Sequence, residues 1–164
     1  MAMRVGIGWD SHRLVAGRPL IIGGVSIPFE KGLQGHSDGD VILHAIGDAI
    51  CGAARLPDIG RLFPDTDEKW HGADSWQLLR AIANQAREAG WTVGNVDCVL
   101  IAERPKIAPH IDAMRARIAD ALQIESEEVG VRGKTAESMD AVGRGEGMVA
   151  HAVCLMHGTA LEQL

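Results

Sequence analysis

A carboxylate and two imidazoles occupy positions that neighbouring elements could bring together. Asp10 and His12 follow the apolar run from Met3 to Trp9, and residues two apart on an extended chain point to the same side. His44 lies within an almost entirely apolar segment, where a buried imidazole must be hydrogen-bonded or bind a metal. One oxygen and two nitrogen ligands suit Zn²⁺ with a fourth position open for water or substrate. A core histidine and a surface Asp-x-His pair are the alternatives.

The helix expected to carry His44, from Asp40 to Ala54, has one narrow polar stripe. Asp40, His44 and Asp48 are spaced i, i+4, i+8, a spread of about 80° at 3.6 residues per turn. The remaining positions are mostly apolar, so most of the helix should be buried. The stripe therefore predicts that His44 is paired within the core or ligates a metal.

Two polar loops punctuated by glycine flank this helix. The segment Gly35–Asp40 leads into its first turn, where backbone N–H groups together with His36 and Ser37 can hold an anion. Asp58-Ile59-Gly60 and Phe63–Asp67 follow the helix. Their carboxylates could accept sugar hydroxyls or coordinate a hard cation such as Mg²⁺, and a solvated acidic loop is the alternative.

A third polar loop, Gly133–Glu137, follows a short β-rich run. Lys134 and Thr135 can contact phosphate, and Glu137 could carry Mg²⁺. The GxxxxGK[ST] frame of a Walker A motif is missing. Gly143–Gly147 opens a strand rather than a helix, which excludes a dinucleotide-binding fingerprint.

The size and charge of the chain exclude several classes of protein. Its 164 residues are 46% hydrophobic and carry 16 Lys+Arg against 22 Asp+Glu, a formal net charge of −6. One soluble domain over residues 1–164 is expected. An acidic chain is a poor nucleic-acid binder, and no run approaches the ~20 apolar residues of a membrane span. Three widely spaced cysteines without CxxC favour buried thiols in a reducing cytoplasm.

The periodicity predicts a single α/β (α+β) domain. Its mixed, mostly four-stranded sheet is packed by helices on one face, with a small hairpin signalled by Gly23-Gly24. The unit from Val96 to Val131 should be a parallel crossover, and Glu30–Gly39 and Pro57–Gly72 should be loops. The predicted elements are strands at Met3–Trp9, Leu20–Ile22, Val25–Ile27, Val96–Ala102, Val129–Val131 and Glu146–Met156, with helices at Asp40–Ala54, Asp74–Gly90 and Pro109–Leu122.

Five motifs, in register over nearly the whole chain from Arg4 to Met156, resemble one family. Each motif alone is weak, but five in order are highly specific. The family is 2-C-methyl-D-erythritol 2,4-cyclodiphosphate synthase, which acts in non-mevalonate isoprenoid biosynthesis. The motifs are Gly8-Trp9-Asp10-Ser11-His12, Gly35-His36-Ser37-Asp38-Gly39-Asp40, Asp58-Ile59-Gly60, Phe63-Pro64-Asp65-Thr66-Asp67 and Gly143-Arg144-Gly145-Glu146-Gly147.

The resemblance implies a metal-dependent enzyme that cyclises 4-diphosphocytidyl-2-C-methyl-D-erythritol 2-phosphate and releases CMP. The 2-phosphate of the substrate attacks the β-phosphate, so the protein supplies positioning and charge neutralisation rather than a nucleophile. Asp10, His12 and His44 match the zinc ligands of the family. Glu137 matches the ligand of a second ion, Mg²⁺ or Mn²⁺.

The same resemblance assigns roles in substrate binding. His36 and Thr135 match catalytic residues that stabilise the reacting phosphates, Asp58 and Gly60 match ribose contacts, and Ala102–Ala108 matches a cytosine pocket built mainly from backbone. The substrate-binding residues implied in this way are Asp10, Ser11, His12, His36, Ser37, Asp58, Ile59, Gly60, Phe63, Asp65, Asp67, Ala102, Pro105, Lys106, Ile107, Ala108, Lys134, Thr135, Ala136, Glu137 and Arg144.

A member of this family is expected to be a cytoplasmic homotrimer whose subunits share each active site. It would bind a small cytidine diphosphate substrate, with no nucleic-acid or membrane partner. The near-apolar final strand, Met148–Met156, could line a central channel of such a trimer. The chain departs from the family at Ser11 and at Ser138–Ala141, where Ala141 replaces a large aromatic residue associated with the substrate and the central cavity.

Two other functions fit some of the same residues. A metal-dependent phosphoesterase using zinc-bound water would give a linear, hydrolysed product, but the sequence offers no clear general base beyond His36. A non-catalytic nucleotide-binding paralogue would agree with the changes at Ser138–Ala141. The intact candidate metal ligands and Thr135 argue against it.

Overall fold

Seven strands and five α-helices form within residues 2–159, the part of the chain that the computed structural model describes. The strands are β1 (Met3–Ala16), β2 (Leu20–Ile22), β3 (Val25–Ile27), β4 (Lys31–Leu33), β5 (Trp91–Ile101), β6 (Val129–Lys134) and β7 (Gly147–Gly158). The helices are α1 (Val41–Ala54), α2 (Ile59–Leu62), α3 (Ser75–Glu88), α4 (Ile111–Leu122) and α5 (Asp140–Gly143).

Five of the strands form one mixed sheet in the order β4-β1-β7-β5-β6, and β2 and β3 form a separate hairpin. β5 and β6 are parallel, with α4 in the connection between them, and the other pairs are antiparallel. The predicted α/β class, the Gly23-Gly24 hairpin and the parallel unit from Val96 to Val131 are confirmed. The sheet has five strands rather than mostly four, because β4 pairs with the end of β1.

Two glycines of β1 allow α1 to lie directly on the sheet. A Cβ built on Gly6 would stand 1.8 Å from the Ala49 carbonyl oxygen, and one on Gly8 would stand 1.8 Å from that of Ala45. No side chain separates the two backbones, which is the close approach that glycine permits. This packing brings the second half of β1 alongside the first turns of α1.

The start of α1 is fixed by Asp40, its N-cap residue. Its carboxylate accepts hydrogen bonds from the N–H groups of Leu43, Gly23 and Gly24 at 3.1, 2.9 and 2.7 Å. Asp40 therefore caps the helix and attaches the hairpin to it, instead of pairing with His44 on the same stripe. Burial raises the pKa of Asp40 to about 6, although the three amide donors act in the opposite direction.

Helix α3 lies where the sequence predicts a helix, between Asp74 and Gly90. The Asp74 carboxylate accepts from the Trp76 N–H at 2.9 Å. Gly90, with φ of +86°, follows the C-cap residue Ala89, the position where a left-handed residue ends many helices. One side of the helix is apolar and buried, with Trp76, Leu79, Ile82, Ala83 and Ala86.

Several element boundaries differ from the predictions. β1 continues to Ala16 and β5 begins at Trp91, because both strands pair with β7 along most of their length. β4 lies within Glu30–Gly39, predicted to be loop, because three residues with a central glycine carry no alternation signal. Pro57–Gly72 contains α2 and a 3₁₀ turn, each begun by an aspartate cap. Pro109 lies in a 3₁₀ turn before α4 rather than within it.

All three cysteines are buried with free thiols, as predicted. Burial raises the pKa of Cys51 and Cys98 to about 12 and that of Cys154 to about 11. Thiolate, the reactive form, is therefore suppressed at neutral pH. Within residues 2–159, no helix has the length and apolar content needed to cross a bilayer.

One face of the sheet is covered by helix α1 and the other is open. Helix α1 packs against the face that carries the glycines of β1. The alternate residues of β1 point to the opposite face, which is open in the single chain. Large apolar side chains stand exposed there, with Ile7 74% exposed and Trp9 54% exposed. An exposed apolar surface of this kind marks a site of association. Its most exposed members are Met3, Val5, Ile7, Trp9 and Val153.

Candidate active site

Asp10 and His12 of β1 and His44 of α1 form the one group of three candidate metal ligands found within residues 2–159. His12 Nε2 lies 2.8 Å from Asp10 Oδ2 and 3.2 Å from His44 Nδ1, and His44 Nδ1 lies 3.2 Å from Asp10 Oδ2. Ligand atoms of a tetrahedral zinc site, with bonds of 2.0–2.1 Å, are about 3.3 Å apart. The three atoms form a triangle only slightly smaller than such a site requires.

The outer nitrogen of each histidine has a partner that decides the tautomer. His12 Nδ1 lies 2.6 Å from the Gln34 carbonyl oxygen, which can only accept, so Nδ1 carries the proton. His44 Nε2 lies 2.8 Å from Ser75 Oγ. The Ser75 hydroxyl donates to the Asp38 carboxylate, so it accepts from the His44 Nε2–H. Both inner nitrogens therefore present lone pairs.

Two imidazole lone pairs and a carboxylate oxygen thus converge on one point, an arrangement that is repulsive unless a cation or proton lies between them. Burial by itself raises the pKa of Asp10, but the hydrogen bonds and charges of His12 and His44 lower it to about 2. Burial lowers the pKa of His12, and the Asp10 carboxylate outweighs this effect and raises it. Outward hydrogen bonds like these orient metal-binding histidines, so the residues fit a zinc ion.

The segment before α1 carries His36 and Ser37 next to this triangle. The buried Ser37 hydroxyl lies 3.2 Å from His44 Nε2 and accepts from the Gly39 N–H at 3.3 Å, so it braces His44. His36 Nε2 is buried and has no partner among the described residues. The His36 ring meets the His71 ring edge-on, with centroids 5.2 Å apart. A buried ring nitrogen without a protein partner leaves a position for a ligand atom.

The first predicted sugar-binding motif forms a helix end. The exposed Asp58 caps α2 and accepts from the Arg61 N–H at 2.9 Å. Ile59 and Gly60 form the first turn of that helix. The Ile59 N–H donates to Asp48 at 3.3 Å, which joins α2 to α1. One face of the Asp58 carboxylate is thus used by the backbone of its own turn.

The second acidic motif, Phe63–Asp67, contains one core residue and two exposed aspartates. Phe63 is buried and meets the Trp70 ring edge-on, with centroids 4.8 Å apart. Asp65 is exposed, and Asp67 caps a 3₁₀ turn by accepting from the Lys69 N–H at 3.0 Å. Phe63 therefore has a packing role, whereas Asp65 faces solvent.

A cavity of about 440 Å³ lies between β5, β6 and the chain that leads to α4. Most of the predicted cytosine-pocket residues and three residues of the third polar loop line it. A mostly apolar cavity with a few polar groups is typical of small-molecule sites. The predicted residues in its lining are Ala102, Pro105, Lys106, Ile107, Ala108, Lys134 and Thr135, and the further lining residues are Leu100, Glu103, Ile111, Val131, Arg132 and Gly133.

The turn that follows β6 is shaped by two carboxylates. The Glu103 carboxylate accepts from the N–H groups of Ala136 and Ser138 at 2.8 and 3.4 Å. Thr135 Oγ1 donates to Glu137 Oε1 at 2.8 Å, and the Glu137 backbone has a φ of +51°. Glu137 is exposed and belongs to no group of three candidate ligands within residues 2–159. A lone carboxylate of this kind suits Mg²⁺ only together with phosphate oxygens and water.

Three other positions lie apart from these features. Ser11 is exposed, and strand alternation directs it away from Asp10 and His12. Arg144 is exposed and pairs with Glu146 at 2.7 Å. Ala141 lies on the short, exposed α5.

The metal-ligand triangle and the cavity lie toward opposite edges of the sheet, at the same height along the strands. Asp10 pairs with Ala150, Ala150 with Leu100, and Leu100 with Gly133. Three strand spacings correspond to about 14 Å. Within one chain, β7 therefore lies between β1, which carries two of the metal ligands, and β5, the nearer of the two strands that line the cavity.

Four side chains in these features were not predicted as part of a site. Ser75 orients His44, Glu103 shapes the turn after β6, His71 meets the His36 ring edge-on, and Arg18 donates to the backbone on both sides of His36. Ser75 was predicted only as part of the helix from Asp74 to Gly90. The others carry no motif, because their contacts join segments far apart in sequence.

This architecture defines an α/β protein with an aspartate–histidine metal-binding triangle and a separate, mostly apolar cavity. The chain matches the YgbB family over residues 3–157 and belongs to that family.

Similar proteins carry one activity in their names. The chain is 53% identical over 162 residues to the 2-C-methyl-D-erythritol 2,4-cyclodiphosphate synthase of Laribacter hongkongensis. The matched residues make up 99% of this chain and 100% of that protein. It resembles a solved 2C-methyl-D-erythritol-2,4-cyclodiphosphate synthase in its CDP-bound form, with 38% identity and a TM-score of 0.86 over 94% of this chain and 100% of that one. The bifunctional IspDF of Campylobacter jejuni matches with 38% identity and a TM-score of 0.92, over 96% of this chain but only 42% of that longer one.

Proposed function

We propose that this chain converts 4-diphosphocytidyl-2-C-methyl-D-erythritol 2-phosphate to 2-C-methyl-D-erythritol 2,4-cyclodiphosphate and CMP, a step of non-mevalonate isoprenoid biosynthesis. Membership of the YgbB family and the names of its relatives support this activity. The observation that carries it is the convergence of three metal-ligand atoms next to the segment with the unpaired His36 Nε2. Such a site can hold a metal ion and a phosphate oxygen together.

The reaction is an intramolecular phosphoryl transfer. An oxygen of the 2-phosphate forms a bond to the β-phosphorus, and the bond from that phosphorus to the bridging oxygen of the α-phosphate breaks as CMP leaves. Because nucleophile and leaving group both belong to the substrate, the protein has to align them and neutralise their charge. Fixed donors and cations are therefore needed, and a protein nucleophile is not.

Asp10, His12 and His44 are the proposed zinc ligands. Zinc, when bound, supplies a Lewis acid and a template for a substrate phosphate oxygen. The hydrogen bonds from His12 Nδ1 to Gln34 and from His44 Nε2 to Ser75 hold both rings with their lone pairs toward the ion. The ligands are thus oriented by the folded chain before any metal binds.

His36 and Thr135 are the proposed catalytic residues, as hydrogen-bond donors to the reacting phosphates. His36 Nε2 lacks a protein partner, and Thr135 Oγ1 has the exposed Glu137 as its acceptor. Glu137 is the proposed ligand of the second ion, Mg²⁺ or Mn²⁺. With its carboxylate on that ion, the Thr135 hydroxyl would be released toward a phosphate oxygen.

The cavity between β5 and β6 is the proposed site of the cytosine base. Lys106 and Ile107 belong to its lining, together with the apolar ends of the two strands. Asp58 and Gly60, at the start of α2, are the proposed ribose contacts, and both are exposed. The CDP-bound form of a similar synthase supports a cytidine diphosphate as the ligand class.

The proposed working unit is a homotrimer whose subunits share each active site. The exposed apolar face of β1 and β7 supports association. The separation of about 14 Å between Asp10 on β1 and Gly133 on β6, which lines the cavity of the same chain, supports sharing, because a neighbour's cavity could face the triangle instead. Free, buried thiols at Cys51, Cys98 and Cys154 favour a reducing compartment, and we propose the cytoplasm.

The test combines product analysis with metal analysis. Purified protein with Zn²⁺ and Mg²⁺ is incubated with the substrate in ¹⁸O-labelled water, and products are followed by ³¹P NMR and mass spectrometry. Equal amounts of CMP and unlabelled cyclic diphosphate are the expected result. A linear, ¹⁸O-labelled product would identify a phosphoesterase, and no turnover by a folded, metal-loaded trimer would exclude both enzymes.

A further inference from the structure

Arg18 lies in the connection between β1 and β2 and reaches the segment that carries His36. Its guanidinium donates through Nη1 to the Gly35 carbonyl at 3.2 Å and through Nη2 to the Ser37 carbonyl at 2.8 Å. These two carbonyls flank His36. One rigid, planar group, whose N–H directions are fixed, thus holds the backbone on both sides of that residue.

The His36 carbonyl, which lies between those of Gly35 and Ser37, is bonded by a different segment of the chain. The His36 oxygen accepts from the Gly72 N–H at 2.8 Å, and the Asp38 N–H donates to the Ala73 carbonyl at 3.1 Å. Three successive carbonyls are therefore bonded, two by Arg18 and one by the chain that precedes α3. Loss of Arg18 would remove the donors to the Gly35 and Ser37 carbonyls and leave the His36 carbonyl with its bond to Gly72.

The backbone of Arg18 is held in place by β4. A Cβ built on Gly32 would lie 2.5 Å from the Arg18 carbonyl oxygen and 2.2 Å from that of Pro19. Gly32 pairs with Val15 of β1, so β4 packs directly on the Arg18–Pro19 backbone and joins it to the main sheet. Arg18 is itself half-buried. The sheet therefore fixes the backbone from which the Arg18 side chain extends, and the Arg18 guanidinium in turn holds the His36 segment.

We propose that Arg18 is a positioning residue for the phosphoryl transfer, acting through the Gly35–Ser37 backbone to hold the His36 ring against the reacting phosphates. This inference rests on the proposed function of His36. Donors that are fixed in advance stabilise a transition state without reorganising, and a displacement of 1 Å costs about 10²-fold in rate. Arg18 donates to none of the three proposed zinc ligands, so its loss should leave zinc bound.

Arg115 offers a matched control, because it is also half-buried and donates to two backbone carbonyls. It bonds Ser126 at 2.7 Å and Val129 at 3.0 Å, between α4 and the start of β6. The variants Arg18→Ala, Arg18→Lys and Arg115→Ala are compared in kcat, KM, zinc content and amide hydrogen exchange. The exchange of the Gly72 N–H, which donates to His36, reports on the segment directly.

Arg18→Ala should lower kcat about tenfold or more, equivalent to about 1.4 kcal/mol of transition-state stabilisation, with zinc content unchanged and faster exchange at Gly72. Arg18→Lys should recover only part of kcat, because an ammonium cannot bond both carbonyls in one plane. Arg115→Ala should lose thermal stability and keep its kcat. Wild-type kcat in Arg18→Ala, a kcat loss that follows zinc loss, or unchanged exchange at Gly72 would each overturn the proposal.

The two proposals fail in different ways. If the wild type and Arg115→Ala release no CMP, the synthase function is wrong, whatever the exchange data show. If both release CMP and Arg18→Ala releases it equally fast, only the role of Arg18 is wrong.

Discussion

The metal-ligand triangle and the cavity, the two halves of the proposed active site, are built in different ways. At the triangle, the outer nitrogen of each histidine has its own partner, Gln34 for His12 and Ser75 for His44. The cavity is mostly apolar and opens between β5 and β6. Its hydroxyl group, on Thr135, donates to the exposed Glu137 carboxylate and accepts from the Glu137 N–H at 3.3 Å.

The difference shows what one chain can complete by itself. The triangle depends on contacts between β1, α1 and the start of α3, all of which are made within the chain. The cavity has no such enclosure, and the exposed apolar face of β1 and β7 is the surface proposed for association. Metal binding should therefore survive changes that separate the subunits of the proposed homotrimer, whereas turnover should not.

The largest effect is expected from His44→Ala, which removes one corner of the triangle. Two ligands remain, fewer than the three protein ligands of a catalytic zinc site. Bound zinc should fall to background and CMP release by about 10³-fold or more, measured by metal analysis and product formation. Asp48→Asn, one turn further along α1, is the control and should keep its zinc. Normal zinc content in His44→Ala would contradict the ligand assignment.

Ile7→Asp should separate the two halves while leaving each intact. Ile7 is 74% exposed on the open face of β1, and a charge buried there in a trimer would lack a partner. We expect folded, zinc-loaded monomers with little activity, measured by light scattering and CMP release, whereas Ile7→Val should remain trimeric. A fully active Ile7→Asp trimer would exclude this face as the interface.

Complementation sharpens the same prediction. His44→Ala damages only the metal half and Thr135→Ala only the cavity half. When the two chains are co-expressed, a shared site can combine two intact halves in about a quarter of cases, as random assembly of a cyclic trimer predicts. Activity well above that of either parent would support sharing. Activity no higher than the parents would indicate that each chain completes its own site.

A moderate effect is expected from Gly133→Leu, which fills the cavity without touching the triangle. A Cβ on Gly133 already stands 3.0 Å from Ile107 Cγ1, so the larger side chain must occupy space within the lining. KM should rise about tenfold or more while zinc content is unchanged. Gly52→Leu adds the same side chain where nothing lies within 4 Å, and its KM should be normal.

Sequence reasoning reached the triangle because its signals are local. Alternation put Asp10 and His12 on one side of a strand, and an apolar helix made the polar His44 conspicuous. Gly6 and Gly8, which bring strand and helix together, were not recognised as the reason the ligands meet. That information lies in a contact between two backbones, which has no one-dimensional pattern.

The remaining contacts could not be read from the sequence for a related reason. Arg18 and Glu103 bond backbone groups 17 to 35 positions away, and any solvent-exposed arginine or glutamate has the same local appearance. β4 was predicted to be loop because its pairing with β1 depends on Gly32 fitting against the Arg18–Pro19 backbone. The starts of α1 and α3 were predicted to within one residue, because the caps Asp40 and Asp74 bond the backbone of their own helices.

The smallest expected effect concerns Asp40, which fixes the start of α1 on the metal half. Its folded-state pKa of about 6 lies above the ordinary 3.8 because the carboxyl is buried. The folded protein therefore binds a proton between these pH values that the unfolded chain does not, so the wild type gains stability as pH falls from about 6 to about 4. Asp40→Asn cannot titrate, and other groups contribute equally to both proteins. As pH falls from about 6 to about 4, the free energy of unfolding of the wild type should rise relative to that of Asp40→Asn by up to about 1.4 kcal/mol per pH unit. Urea titrations of both proteins measure this difference. A constant difference would mean that the three amide donors keep the carboxylate ionised despite its burial.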